Sequence, residues 1–275
     1  MKNVYIRFPG GLAKALTFSY DDGVEDDYRL IKIMKRNGLR GTFNLNSGLF
    51  GEVGENDRCL TAEEAKALYT KDGLEPAIHG TLHPTWMDQQ SDSSMHDILN
   101  DRLELERLFG YPIRGGAYPF GAYNDRVVEQ LKMAGIRYCR TTDSTENTHI
   151  PADWLRWHPT CHHGHPRLME MAKKFVERDM PREPRLFYVW GHSYEFRLFK
   201  NDDWSGFEAF CDYMGAAEGI WNATNGEIYD YCQAFNALDF TLDGDVVYNP
   251  TCIEVWFAAN GKTYSVKPGE TLRLN

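Results

Sequence analysis

The strongest constraint on the fold is an alternation of short apolar segments with amphipathic segments along most of the chain. β-type runs occur at residues 15–18, 41–45, 74–78, 113–118, 136–140 and 185–190. Helical periodicity occurs at residues 26–37, 61–69, 94–109, 124–134, 169–178, 207–214 and 228–238. Strands that alternate with helices predict a parallel sheet, which places functional side chains at the carboxyl ends of its strands.

The last part of the chain has a different character. From about residue 240, β-type runs are separated by Asn260-Gly261 and Pro268-Gly269 turns. A chain of 275 residues is within the range of one α/β barrel. We therefore predict two parts, a barrel over residues 1–240 and a small β segment over residues 241–275 packed on it.

Charge and composition exclude several classes of partner. The net charge of −10 leaves no basic stripe that could neutralise phosphates, so we expect neither nucleic acid nor an anionic membrane as a partner. The six cysteines contain no CxxC pair, which argues against a zinc ribbon. The first residues lack the apolar stretch of a secretory signal, and a cytoplasmic location is the expectation. The oligomeric state is left open.

Two adjacent carboxylates, Asp21 and Asp22, follow the apolar run at residues 15–18. They repel one another at the end of a buried strand, so a cation is expected to compensate them. His79 and His83, four residues apart, follow the third strand. One carboxylate and two imidazoles make a set of three ligands that leaves a coordination position open for water, as in catalytic metal sites.

The stretches Ser19-Tyr-Asp-Asp-Gly23, Gly41-Thr-Phe43 and His79-Gly-Thr-Leu-His-Pro84 resemble the polysaccharide deacetylase family, carbohydrate esterase family 4, also called the NodB-homology domain. Two later stretches, 117–121 and 190–192, are similar to its third and fifth motifs. The resemblance implies an α/β fold, a distorted (β/α) barrel with a divalent metal. It also implies a hydrolase that removes N-acetyl groups from amino-sugar oligo- or polysaccharides. Zinc is the expected ion, with cobalt, nickel or manganese as alternatives.

The resemblance also implies a role for each matching residue. Asp22, His79 and His83 would bind the metal. Asp21 would be the general base and His192 the general acid, while the backbone N–H of Tyr118 would stabilise the oxyanion.

Some positions depart from the family pattern. Ala117 stands where many relatives carry an arginine that steadies the catalytic aspartate, and Arg114 or Arg140 is a candidate replacement. Asp143 is a candidate for the fourth-motif aspartate that tunes the acid histidine. His162 and His163 lie in a stretch without a counterpart in the family, which could line the cleft, bind a further metal or be a polar loop.

Other functions remain open. The ligand set also suits a metal-dependent amidase that acts on a small non-sugar amide. A catalytically inactive carbohydrate-binding relative is the alternative from a different class. A His-Glu-x-x-His peptidase is disfavoured because Gly80 follows His79 where the catalytic glutamate would stand.

Overall fold

A curled sheet of parallel strands forms the centre of the molecule. The computed structural model describes residues 3–54, 57–71, 73–178, 182–198 and 204–274. Within these ranges the strands are β1 (Val4–Arg7), β2 (Lys14–Asp21), β3 (Gly41–Leu45), β4 (Leu74–Ile78), β5 (Gly115–Ala117), β6 (Tyr138–Arg140), β7 (Cys161–His162), β8 (Arg185–His192), β9 (Ile220–Asn222), β10 (Asp239–Phe240), β11 (Val246–Tyr248), β12 (Val255–Ala259), β13 (Lys262–Val266) and β14 (Thr271–Arg273).

The central sheet has the order β6-β5-β4-β3-β2-β8-β7, and β9 pairs with β2 beside β3. Every pairing in it is parallel. Successive strands from β2 to β6 are neighbours in the sheet, as expected when helical crossovers connect parallel strands. The predicted α/β fold, a distorted (β/α) barrel, is confirmed.

The helices follow the predicted periodicity closely. Within the described ranges they are α1 (Asp27–Arg36), α2 (Ala62–Tyr69), α3 (Ser91–Phe109), α4 (Asp125–Met133), α5 (Leu168–Glu177), α6 (Glu195–Leu198), α7 (Trp204–Ala216) and α8 (Asn225–Asn236). Local chemistry explains several ends. Thr61 and Glu64 form a capping box at α2, and Gly110 ends α3 in the left-handed conformation. The helix α6 was not predicted.

The two faces of the central strands have different surroundings. Leu16, Phe18 and Tyr20 of β2 lie on one face, within the main apolar core. Thr17, Ser19 and Asp21 alternate with them, as the two-residue period of a strand requires. They lie on the inner face of the curled sheet, where Ser19 and Asp21 contact Arg140 of β6. Polar groups therefore line the interior of the barrel up to the end of β2.

The terminal β segment includes the beginning of the chain as well as its end. β1 pairs antiparallel with β12, which pairs with β13. A second small sheet has the order β10-β11-β14. Val255, Phe257 and Val266 form part of a separate apolar cluster between the two small sheets and α8. The predicted boundary after residue 240 stays a prediction, but the sequence analysis missed the contribution of β1.

None of the helices in the described ranges is both long and apolar enough to cross a lipid bilayer.

Candidate metal centre and active site

The predicted site residues converge at the carboxyl ends of three strands. Asp21 is the last residue of β2, His79 follows β4, and His192 is the last residue of β8. In the strand register, Asp21 lies opposite Asn44 on one side and His192 on the other. Parallel strands that end together bring these side chains to one edge of the sheet.

Asp22, His79 and His83 form a compact group, which we call the ligand triad. One ligand atom of each lies within 4.8 Å of the others. The two Nε2 atoms are 3.1 Å apart, and Asp22 Oδ1 is 3.8 Å from the Nε2 of His79 and 3.9 Å from that of His83. Such separations suit three ligands around one ion with bonds of about 2.0–2.2 Å. The donor set of one carboxylate and two imidazoles fits zinc.

Hydrogen bonds behind His79 fix the tautomer and orientation of its ring. Its Nδ1 lies 2.9 Å from the carbonyl oxygen of Ala117, so Nδ1 carries the proton and the Nε2 lone pair faces the triad. Asp101 Oδ2 accepts from the backbone N–H groups of His79 and Gly80 at 2.9 and 2.8 Å. Burial raises the pKa of Asp101 to about 7. These contacts fix both the ring and the loop that carries it.

Two members of the ligand triad have unusual backbone conformations. Asp22 has φ of 77° and His83 has φ of 51°. Residues other than glycine rarely adopt the left-handed region, and such strain is concentrated at functional sites. The Asp22 N–H donates to the carbonyl of Asn44 at 3.0 Å, which helps to hold this turn.

The second imidazole of the triad is kept neutral. Burial, and then the neighbouring His79 ring, lower the pKa of His83 to about 4. A neutral imidazole is the form that binds a metal. His83 is therefore available as a ligand at neutral pH.

Asp21 is buried and fixed at both oxygens. Oδ1 accepts from Asn44 Nδ2 at 2.8 Å, and Oδ2 accepts from Arg140 Nη2. Although burial opposes ionisation, the positive charge of Arg140, aided by His79 and His192, lowers the pKa of Asp21 to about 2. Arg140 is itself buried, with its guanidinium 4.5 Å from the Trp190 ring centre. Of the two candidate arginines, Arg140 is therefore the one that contacts Asp21.

His192 faces both carboxylates of the pair. Its Nε2 lies 3.7 Å from Asp21 Oδ2 and 4.0 Å from Asp22 Oδ2, and its Nδ1 lies 3.1 Å from Glu195 Oε1. Burial acts to lower the pKa of His192, but the bond to Glu195 and the charges of Asp21 and Asp22 outweigh it and raise the pKa to about 9. The imidazolium therefore predominates at neutral pH.

Glu195 was missed by the sequence analysis. It follows His192 by three residues at the start of α6, and a short helix at the end of a strand has no strong sequence signal. A carboxylate at this spacing after a histidine was the signal that could have found it.

His162, His163 and Glu195 form a second compact group, which we call the support cluster. Glu195 Oε2 lies 2.8 Å from His162 Nε2 and 3.2 Å from His163 Nε2. The buried His163 ring stacks between Tyr20 and Phe196. The stretch that lacked a counterpart in the family therefore lies beside the partner of His192.

Two candidate support residues lie elsewhere. Arg114 precedes β5 and makes a two-pronged pair with Asp230 of α8 at 2.7 and 2.8 Å, so it does not contact Asp21. Asp143 is mostly exposed and lies 3.6 Å from His158 Nδ1, with no contact to His192 among the described residues. Both predictions are corrected: Arg140 contacts Asp21, and Glu195 contacts His192.

The role predicted for Tyr118 is also corrected. Its backbone N–H donates to the carbonyl of Arg140 at 3.0 Å, and its hydroxyl donates to the carbonyl of Leu155 at 2.7 Å. The N–H of Phe120 has no acceptor among the described residues. Phe120 has φ of 57°, and its exposed ring packs 4.3 Å from the His83 ring, centre to centre.

Comparison with known proteins supports the family resemblance. Residues 9–139 match the family model for polysaccharide deacetylase. No curated protein matches the chain. The predicted resemblance to the polysaccharide deacetylase family is confirmed.

Solved structures with a TM-score above 0.5 support the fold. A provisionally named polysaccharide deacetylase from Mycobacterium smegmatis has a TM-score of 0.60 and 15% identity, with 88% of this chain and 98% of that chain covered. A mutant of a CE4 family pseudoenzyme has a TM-score of 0.51 and 18% identity, with 82% and 70% covered. The deacetylase PplD of Streptococcus pyogenes, in complex with acetate, has a TM-score of 0.42 and 24% identity. The chain covers 55% of that protein, and the match covers 46% of this chain.

Proposed function

We propose that this chain, whose residues 9–139 match the polysaccharide deacetylases, is a metal-dependent hydrolase that removes N-acetyl groups from amino-sugar saccharides. One observation carries the proposal. The ligand triad lies directly beside a carboxylate and an imidazolium, since Asp21 Oδ2 is 3.7 Å from both His79 Nε2 and His192 Nε2. Metal-assisted hydrolysis of an amide uses these groups together: a metal position, a base and an acid.

Asp22, His79 and His83 would hold a divalent ion, for which zinc suits the donor set best. The ion, when bound, lowers the pKa of a water molecule and polarises the acyl oxygen. Asp21 is ionised at neutral pH and takes the proton of the attacking water. Arg140 and Asn44 hold its carboxylate in place during this transfer.

His192 acts at the other end of the reaction. Its raised pKa keeps the ring protonated at neutral pH, so Nε2–H is available to the departing amine. As the C–N bond breaks, the amine nitrogen keeps the bonding electron pair and takes this proton. An unprotonated amine is a poor leaving group, so the acid is essential for an amide.

The backbone N–H of Phe120 replaces that of Tyr118 as the oxyanion donor in this proposal. It has no acceptor among the described residues, and Phe120 packs against His83. Pro119, directly before it, has no N–H to offer. A backbone donor in this loop, whose Phe120 ring packs on His83, would stabilise the charge that develops on the acyl oxygen.

The surroundings of the triad suit an uncharged saccharide. Phe120, whose ring packs on His83, exposes 67% of its surface, and Leu82, which precedes His83 in the chain, exposes 64%. Exposed apolar faces of this kind pack against sugar rings. The net charge of −10 disfavours acidic polymers.

Release of acetate from N-acetylglucosamine oligomers tests the proposal. We expect release by the zinc- or cobalt-loaded protein, loss after chelation and recovery when the metal is restored. Release from small N-acetyl amides but not from saccharides would replace the substrate with that of an amidase. Binding of saccharide without release, by a fully metal-loaded protein, would indicate an inactive relative. Turnover that resists chelation would refute the metal mechanism.

A further inference from the structure

Glu195 connects the acid histidine to the histidine pair that the family resemblance leaves unexplained. Its Oε1 lies 3.1 Å from His192 Nδ1, and its Oε2 accepts from the His192 backbone N–H at 3.1 Å. The same Oε2 is 2.8 Å from His162 Nε2 and 3.2 Å from His163 Nε2. Only 14% of the side chain is exposed, so solvent screens these contacts weakly.

We infer that Glu195, held in place by His162, is the positioning residue of the acid histidine, and that it keeps the His192 proton-donating nitrogen aimed at the reaction site. This inference rests on the proposed function. A carboxylate at Nδ1 fixes both the tautomer and the orientation of a histidine ring. Nδ1 lies 3.1 Å from Glu195 Oε1, while Nε2 on the opposite side of the ring faces Asp21 and Asp22. Glu195 itself transfers no proton, and His192 regains its proton from water after each turnover.

The hydrogen bonds of His162 show how Glu195 is held. His162 Nδ1 accepts from the N–H of Gly164 at 3.1 Å, so this nitrogen carries no proton. The proton of the neutral ring is therefore on Nε2, which donates to Glu195 Oε2 at 2.8 Å. His163 is buried and packs closely against Gly191, where a Cβ would lie 2.1 Å from the His163 Nδ1.

The same contacts disfavour a second metal at the support cluster. A metal at His162 Nε2 would require a lone pair on that atom and a proton on Nδ1. Nδ1 would then face the Gly164 N–H proton to proton, and that hydrogen bond would be lost. The cluster is consistent with hydrogen-bonded support for a carboxylate.

Two substrates with different leaving groups provide a test, because a general loss of structure would lower the rates on both. An amide needs its amine protonated, whereas the nitrophenolate of 4-nitrophenyl acetate departs without an acid. We expect Glu195→Gln to lower kcat on an N-acetylglucosamine oligomer by about 10–100-fold and to change the aryl acetate rate by less than about threefold. Glu195→Asp should recover part of the amide activity. The exposed Glu170→Gln is the matched control and should leave both rates unchanged.

Equal losses on both substrates, or an unchanged amide rate, would overturn the inference. The tautomer of the neutral His192 ring, recorded above pH 9 where the ring has lost one proton, provides a second readout that needs no turnover. In the ¹⁵N imidazole spectrum of the metal-loaded full chain, His192 is assigned by its loss in His192→Gln. We expect a protonated Nδ1 in the wild type and displaced His192 resonances in Glu195→Gln and His162→Gln. Resonances that do not move, or a wild-type Nδ1 without a proton, would contradict the inference.

These two readouts separate the inference from the proposed function. If the wild type hydrolyses neither substrate, the proposed function fails, while the spectrum still decides whether Glu195 positions His192. Metal analysis completes the design. We expect one equivalent of zinc in the wild type and in Glu195→Gln. A second equivalent that is lost in Glu195→Gln would assign the support cluster to a metal and refute the inference.

Discussion

The ligand triad and the support cluster contain almost the same side chains, but they differ in the hydrogen bonds behind the imidazoles. In the triad, Nδ1 of His79 donates to a carbonyl, which frees the Nε2 lone pair. In the support cluster, Nδ1 of His162 accepts from a backbone N–H, which leaves the proton on Nε2. In our proposal, the tautomer, set by one backbone group, distinguishes an imidazole that binds a metal from one that donates a hydrogen bond.

The largest expected effect is on metal binding, when a histidine of the ligand triad is replaced and compared with the same replacement in the support cluster. His83→Ala should reduce metal affinity by more than the roughly 100-fold that loss of an outer partner costs, and should abolish activity. His162→Ala should retain one equivalent of zinc. Metal analysis after dialysis measures both. Loss of the ion from His162→Ala but not from His83→Ala would reverse the comparison.

The next largest effect is on kcat and concerns Asp21, which lies beside the ligand triad and is proposed not to bind the ion. Asp21→Asn should lower kcat by about 10²–10⁴-fold, because an amide cannot accept the proton of the attacking water. It should keep the metal, because Asp22 is the carboxylate of the proposed ligand triad. Activity and zinc content are measured on the same sample. An Asp21→Asn protein without metal would make Asp21 a ligand and enlarge the triad.

A smaller effect tests the support behind His79. Asp101→Asn would place an NH2 group where a carboxylate oxygen accepts the backbone N–H groups of His79 and Gly80. We expect metal affinity to fall by about 10–100-fold. Asp92→Asn, an exposed residue near the start of α3, is the matched control. Unchanged zinc affinity, measured by competition with a chelator, would show that the loop is held without Asp101.

The smallest effect is a pH dependence that involves the support cluster. His192 has its folded pKa raised to about 9, so the acid form is present below this value and is lost as the pH rises through it. A bound cation adds positive charge nearby, so the alkaline midpoint of kcat should lie at or below pH 9. Asp21, with its pKa lowered to about 2, stays ionised across this range. An amide kcat that rises above pH 9 would exclude His192 as the acid.

Much of the site was predictable because strand ends can be read from the sequence. Asp21, His79 and His192 each follow an apolar run, and the carboxyl ends of parallel strands meet. The choice between Arg114 and Arg140 follows the same rule once the strand bounds are known. Arg114 precedes β5, at its amino end, while Arg140 ends β6. The predicted strand at 113–118 began too early, which obscured this difference.

The remaining features depend on contacts that no local pattern encodes. The pairing of β1 with β12 joins residues about 250 positions apart and has no periodic signal. Glu195 was missed because its contacts with His162 and His192 arise only where β7 and β8 lie side by side. The N–H of Tyr118 was assigned wrongly because its acceptor, the Arg140 carbonyl, belongs to a different strand.

The alternation of faces along β2 has a practical consequence for protein engineering. A shift of one residue in its pairing with β8 would turn Asp21 toward the helices and place Tyr20 in the barrel. Substitutions that shift this pairing would therefore disturb the apolar core and the polar interior together. Libraries intended to alter substrate preference are better confined to the loops that follow the strands, where Leu82 and Phe120 are exposed.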